Sequence, residues 1–580
     1  MTKLKRILSL FLIAVFLFSI QVFAQDSKAE RFGDVPEGHW ADKAVHDLRL
    51  IKITDGIGNN RFGMGLTIKR SEFTAFLVKL MKWELIKPEK GSFIDNLDSG
   101  KWYYSQIETA LEHGVVIKDV DRFRPDEPIT REEMAVMIVR TLGYDSLARQ
   151  LTYLGSPFAD VSENTGYITI AKDFGIIAGV GNNQFMPRAT AKREEAAVMM
   201  MKMYEKLGRS INELHAFYAI SSANQADKLS ALDSVGFGWS RLEYDSETSS
   251  VFLNTTDKNG NEYDIPEGFT KPLNSARENN VSTQLMVYAN NDTVFSTAAQ
   301  SKVHLVEYII TRPEVRRQVI EAITSQINNE DLGNTSPSFD GVVIDFESMK
   351  GDMLRQSFNI FLKELKQELN KSNKLLYVAV HPKRRPGQAY YDGYDYRTIG
   401  ETADKVILMA HDYYAKQLTE AEMHNGYTTT PLAPIDEVYY ALKSITDKDT
   451  GVKDLNRIWI QFSFDSAQWK LKEGKVINKY PYNPGYEAIQ KRLLMEGVEV
   501  NYQETSLSPY AAFYDAKDET DNIIWYEDSR SIRAKISLAK MFGIEGISLW
   551  RLGNIPDYED TQAKRLYLDV WQQIMNNKLK

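Results

Sequence analysis

Apolar positions along this 580-residue chain change their spacing twice. Ile7 to Ile20 is nearly continuous apolar sequence. From Arg31 to about Leu207 the apolar residues recur at helical spacing: Ile107, Ala110 and Leu111 share one face, Gly114 ends that helix, and Met134, Met137, Ile138 and Leu142 form a second face. Thr130 followed by Glu133 matches a capping box at the start of the second helix. Past Leu207-Gly208 the pattern becomes short apolar runs separated by amphipathic stretches. Eight runs read as strands: Leu214 to Ile220, Val235 to Leu242, Gln284 to Ala289, Phe339 to Glu347, Leu375 to His381, Lys405 to Tyr413, Arg457 to Phe464 and Gly546 to Trp550. Helical patterns such as Pro313 to Ile327 and Met353 to Asn370 lie between them. Strands alternating with helices predict a parallel eight-stranded barrel with insertions over 211–570. The expected fold is therefore multidomain, an α-helical repeat body followed by an α/β (β/α)8 TIM barrel.

The first residues place Lys3, Lys5 and Arg6 before the apolar stretch and Val22-Phe23-Ala24 after it. That order predicts an export signal over 1–24, cut after Ala24. Its apolar part is shorter than the ~20 residues of a spanning helix, and no later stretch is apolar enough to span. The mature chain is expected outside the membrane.

The helical region repeats itself. Phe32-Gly-Asp34, Phe93-Ile-Asp95 and Phe158-Ala-Asp160 open units at 31–87, 91–150 and 156–207. Lys69-Arg70-Ser-Glu72, Thr130-Arg131-Glu-Glu133 and Lys192-Arg193-Glu-Glu195 recur later in each unit, and an aromatic precedes each arginine by eight residues (Phe62, Phe123, Phe185). Short helix pairs bury little alone, so the units are expected to pack on one another.

Charge and composition narrow the function. The 70 basic and 79 acidic residues leave a net charge of −9, with no basic run to follow a phosphate backbone, so nucleic acid is not an expected partner. No cysteine is present, which excludes disulfides, thiolate metal sites and a cysteine nucleophile; the eight histidines are scattered, and neither a metal nor a cofactor is called for.

The Phe-x-Asp openings, His39-Trp40, Lys101-Trp102 and the Thr-Arg-Glu-Glu stretch make the repeats resemble S-layer homology (SLH) repeats. This implies attachment to an anionic secondary polymer of a Gram-positive-type wall, and so a secreted protein held at the wall or S-layer. Arg70, Arg131 and Arg193 could fork onto the polymer's acidic groups while Trp40 and Trp102 stack on its sugars; neutralising the following glutamates and packing in the core are the other roles open to these residues. The third unit has Gly166-Tyr167 in place of tryptophan.

In a barrel of this kind, chemistry gathers at the C-terminal strand ends. Asp345 and Glu347 end the fourth strand; His381 ends the fifth, His411-Asp412-Tyr413 the sixth, Gln461 lies in the seventh and Trp550 closes the eighth. Val343, Asp345 and Glu347 alternate onto one face, ~6.5 Å between successive members. In a dry site two such carboxylates cannot both ionise easily, so one should stay protonated and act as an acid; a solvated pair or a cation site is the other reading of the spacing.

Asp340-Gly-Val-Val-Ile-Asp345-Phe-Glu347 resembles the fourth-strand signature of glycoside hydrolase family 18, Asp-Gly-x-Asp-x-Asp-x-Glu. Met409-Ala-His411-Asp412 is similar to the family's Met-x-Tyr-Asp, and Trp525-Tyr-Glu527-Asp528 with Gly546 to Gly553 is similar to its bacterial wall and spore-cortex N-acetylglucosaminidases. The resemblance implies a substrate-assisted retaining reaction on an N-acetylated glycan. Glu347 is its acid and Asp345 the stabiliser of an oxazolinium-like intermediate, while Asp340, His411, Asp412, Tyr413, Gln461 and Trp550 are the candidate substrate contacts. Val343 stands where the family has a second aspartate, and His411 replaces a tyrosine for which Tyr413, on the same side, could substitute. The expected protein is a wall-anchored hydrolase of peptidoglycan or a chitin-like polymer. The alternative is a surface carbohydrate-binding or structural S-layer protein on a hydrolase barrel.

Overall fold

A computed structural model describes residues 31–118, 120–297, 300–329, 337–561 and 564–578. The expected export signal at 1–24 lies outside them. The chain divides into two compact units, with the break between Gly208 and Arg209.

The first unit is helical: α1 (Asp42–Leu50), α2 (Arg70–Leu80), α3 (Tyr104–Glu112), α4 (Arg131–Thr141), α5 (Asp145–Gln150), α6 (Thr165–Asp173) and α7 (Arg193–Leu207). The repeated sequence features have a shared mechanical role. Each opening aspartate accepts backbone N–H groups just after its unit's later aromatic: Asp34 from Phe62, Gly63 and Met64, Asp95 from Phe123 and Arg124, Asp160 from Phe185 and Met186. The two aromatics of each unit meet at ring-centroid distances of 5.7, 5.7 and 5.4 Å. At the starts of α2, α4 and α7, Glu72, Glu133 and Glu195 accept the N-cap amide and so satisfy a helix-end donor.

The arginines close the three stretches into a ring. Arg70 Nη1 lies 2.9 Å from Glu133, and its guanidinium sits over Phe123. Arg131 donates to the carbonyls of Phe185 and Ala178 and to Glu195. Arg193 donates to the Phe62 carbonyl and to Glu72. Each arginine thus grips the glutamate of the next unit rather than that of its own helix, and the last returns to the first. Arg131 and Arg193 are only 6% and 3% exposed. This corrects the reading of them as open forks for a wall polymer, because their donors are engaged across the ring. Arg193→Ala strands a buried carbonyl and the Glu72 carboxylate, at a cost of about 3 kcal/mol. Hydrogen exchange of the full chain should therefore accelerate in peptides covering α2 and α7 and stay unchanged in barrel peptides.

The second unit is a closed barrel of parallel strands β1 (Glu213–Tyr218), β2 (Ser234–Asp245), β3 (Ser282–Asn290), β4 (Gly341–Glu347), β5 (Leu375–Val380), β6 (Lys405–Leu408), β7 (Ile458–Ser463) and β8 (Gly546–Trp550). Neighbours pair in chain order, and β1 pairs with both β2 and β8. All eight expected strands are present. Helices span Pro313–Asn328 and Asp352–Lys371, as the apolar periodicity predicts. Phe217, Met286, Val343, Tyr377, Ile407 and Trp459 pack into one buried cluster inside the barrel. Between β7 and β8 lies a five-stranded antiparallel sheet, Ala467–Lys472 to Thr520–Trp525, that the sequence pattern showed only as insertion.

One strand is shorter than expected. β6 ends at Leu408, not Tyr413. Asp412 has φ +61°, in the left-handed region, which breaks the in-and-out alternation of a strand.

Candidate active site

β4 delivers two carboxylates to the C-terminal mouth of the barrel. Asp345 is in register with Tyr288 of β3 and Glu347 with Asn290. Val343, one step deeper, is fully buried in the apolar cluster. Asp345 is 5% exposed, and among the described residues its Oδ1 has no hydrogen-bond partner. Burial and the neighbouring Glu347 push its carboxyl well above the usual range, against the pull of His411. Glu347 is more open, with 29% of its side chain exposed, and burial raises it too, with His411 opposing and Asp412 reinforcing. One proton shared between two inward-facing carboxylates is the arrangement that supplies an acid near neutral pH.

His381, just past β5, places Nε2 3.9 Å from Glu347 Oε2. Burial lowers its pKa to about 4, with His411 adding to the shift and Asp412 opposing it, so near neutrality it faces Glu347 as an uncharged ring. Two phenols complete this side. Tyr263 and Tyr288 meet at 5.2 Å, and burial together with the charges of Asp345 and Glu347 raises Tyr263 to about 12. Tyr394 donates to the carbonyl of Phe346, the residue between the two carboxylates, and so holds the strand end that carries them. Tyr263 and Tyr394 lie on excursions between strands, where no periodicity marks them; sequence reading missed both.

The loop after β6 carries His411 and Asp412 to the same mouth. His411 Nε2 lies 2.7 Å from Gln461 Oε1, and its Nδ1 lies 3.3 Å from Asp412. Lys416 is 3.2 Å from the other Asp412 oxygen. Burial alone would raise Asp412, but His411 and Lys416 overcome it and hold this carboxyl well below the usual range. Trp550 ends β8 half-buried, its ring 5.1 Å from Phe217.

Three expected contacts change. Asp340 sits at the opposite end of β4, about 23 Å from Glu347 at the rise of a strand. Its carboxylate accepts the backbone and hydroxyl of Thr283, which makes it a tie at the barrel floor and not a substrate contact. Tyr413 does not stand beside His411, because the left-handed turn at Asp412 intervenes. It lines a separate cavity with Arg384, Arg385, Asp436 and Glu437, and Arg384 lies over its ring at 4.8 Å. Gln461 is only 2% exposed and reaches the site through His411. Glu527 and Asp528, part of the family-like stretch, are structural: the first is buried against Lys535 and the second caps the helix Ser529–Phe542.

In the helical unit Trp40 and Trp102 are 62% and 59% exposed, the geometry of rings available for stacking. Tyr167, at the corresponding place in the third unit, is instead buried, with its hydroxyl on Asp145.

The model of "Glycosyl hydrolases family 18" matches residues 210–554, and that of the "S-layer homology domain" matches 97–135 and 157–197. An amylopullulanase of Thermoanaerobacterium thermosulfurigenes is 31% identical over 183 residues, 30% of this chain and 10% of that protein. The cortical fragment-lytic enzyme of Bacillus subtilis (strain 168) is 26% identical over 246 residues, 40% of this chain and 51% of the relative. The crystal structure of the Bacillus cereus spore cortex-lytic enzyme SleL aligns with a TM-score of 0.48 at 20% identity, covering 71% of this chain and 82% of that one. The chain spans about half or less of the length of these two curated relatives.

Proposed function

Because the chain belongs to glycosyl hydrolases family 18, through a match over more than half of its residues, we propose that it cleaves β-1,4 bonds of N-acetylhexosamine polymers by a substrate-assisted retaining reaction. The coarser statement needs no proposal: this is a glycoside hydrolase with S-layer homology domains that indicate anchoring at the cell surface. The observation that carries the finer reading is the pair Asp345 and Glu347 on one face of β4, both raised above the ordinary carboxylate range.

In this reading Glu347 protonates the glycosidic oxygen, and the bond to the anomeric carbon breaks. The substrate's acetamido carbonyl oxygen attacks that carbon, and Asp345 accepts the amide N–H and offsets the charge of the resulting oxazolinium. Glu347, now ionised, takes a proton from the incoming water. Trp550 forms the apolar floor beneath the sugar, and Asp412, fixed by His411 and Lys416, orients the acetamido group. The stretch at 31–87 is a third S-layer homology repeat, with Trp40 and Trp102 stacking on a wall polymer.

The full-length protein incubated with isolated walls, chitin oligomers and fully deacetylated glucosamine oligomers tests this. Expected are sedimentation with the walls, reducing ends from at least one N-acetylated polymer with the β-anomer formed first, and at least about 100-fold slower cleavage of the deacetylated oligomers, which lack the internal nucleophile. Release of α-anomer, or equal rates on both oligomers, would overturn the mechanism. No release from any N-acetylated polymer would leave a surface carbohydrate-binding protein.

A further inference from the structure

A polar column runs through the otherwise apolar barrel interior and ends at the carboxylates. His215 of β1 is fully buried, and its Nδ1 lies 2.8 Å from Ser548 Oγ of β8. Gln461 of β7 donates from Nε2 to Ser548 Oγ at 3.3 Å, and its Oε1 lies 2.7 Å from His411 Nε2. Buried polar groups must be satisfied, and a column of this kind has a direction. Ser548 donates its hydroxyl to His215, whose ring is neutral because burial lowers its pKa to about 3. Gln461 donates to Ser548, so its carbonyl oxygen remains to accept from His411. Nε2 of His411 therefore carries a proton. The other ring nitrogen, Nδ1, faces the Asp412 carboxylate, which asks for a second proton.

The groups around this ring are Asp345 and Glu347 from β4, His381 past β5, Asp412 and Lys416 on its own loop, and Gln461 and Asp465 from β7 and the turn after it. Lys416 and the neutral His381 leave the balance near His411 acidic. Burial works against a charged imidazole, but Asp412, Gln461 and Asp465 outweigh it.

We propose that His411 is a positioning residue, an imidazolium clamped between Gln461 and Asp412 whose fixed charge keeps Asp345 ionised and leaves the single proton of the pair on Glu347. β4 needs such a device because Val343, packed in the apolar cluster, offers no further carboxylate to share a proton with Asp345. The consequence for rate rests on the hydrolytic reading above; the charge on the ring does not.

Two measurements on the full-length protein separate these. The first is the imidazole nitrogen spectrum of histidine-labelled protein, with the His411 signal assigned by its absence in His411→Gln and its displacement in Gln461→Glu. Two protonated ring nitrogens up to at least pH 8 are expected; a neutral ring at pH 6 would overturn the proposal. The second is the pH dependence of hydrolysis by His411→Gln, which keeps one hydrogen-bonding group but no charge. The acid limb of kcat/KM should move up by about one pH unit and kcat should fall at least about tenfold, with KM within about threefold. An acid limb unmoved in a folded variant would overturn the positioning role. A wild-type protein that hydrolyses nothing would fail the hydrolytic reading and the positioning role together, while the spectrum would still decide the clamp.

Discussion

Glu347→Gln should lower kcat by about 10³- to 10⁴-fold and leave KM within about threefold. The amide has the shape of the acid and none of its exchangeable proton, so the glycosidic oxygen must leave as an alkoxide, and no base remains for the water. General acid–base assistance of this kind contributes about 10²- to 10⁴-fold, and here one residue serves in both steps. Reducing-end release under saturating oligomer checks the result; equal rates for the two proteins would remove Glu347 from the mechanism. Stability separates chemistry from damage. Burial raises the Glu347 carboxyl in the folded state, so the folded protein binds the proton more tightly than the unfolded chain. The associated stability is present below the unfolded pKa and is lost as pH rises toward the folded one. Glu347→Gln should therefore have a Tm at pH 8 at or above that of the wild type, even though it is inactive.

Asp345→Asn should lower kcat by about 10²- to 10³-fold, the usual effect of removing one group aimed at developing charge. Asparagine can still accept the acetamido N–H but cannot offset a positive oxazolinium. The acid limb of kcat/KM, which in the wild type follows ionisation of the pair, should weaken or disappear. A pH profile of the variant that overlays the wild type would remove Asp345 from its role. Asp345 is more buried than Glu347, and among the described residues one of its oxygens lacks a partner. The same sign argument therefore predicts a larger Tm gain for Asp345→Asn than for Glu347→Gln, widening from pH 5 to pH 8.

Both variants act on residues that chain order alone puts together. The alternation of β4 is a property of adjacent residues, so Val343, Asp345 and Glu347 fall on one face by their spacing. The same holds for the eight strand positions, for the helix starts with their capping glutamates, and for the family signature on the fourth strand. Each depends on chain neighbours within a few positions.

What local order could not decide were partners distant in the chain. Arg193 is 131 residues from the Phe62 carbonyl it grips, and only closure of the three-unit ring shows that the repeated arginines bind the next unit's glutamates. Tyr263 reaches the site from a loop without periodicity. Tyr413 leaves it because a single left-handed residue at Asp412 ends the alternation, and Asp340 leaves it because a strand has two ends.

Sequence by itself determined the architecture, the placement of Asp345 and Glu347, and the family, since these follow from spacing along the chain. The electrostatic state of those carboxylates was decided only by tertiary structure. It depends on burial and on a hydrogen-bonded column from His411 to His215 whose bond at Ser548 joins positions 333 residues apart, and neither is encoded in the spacing of neighbours.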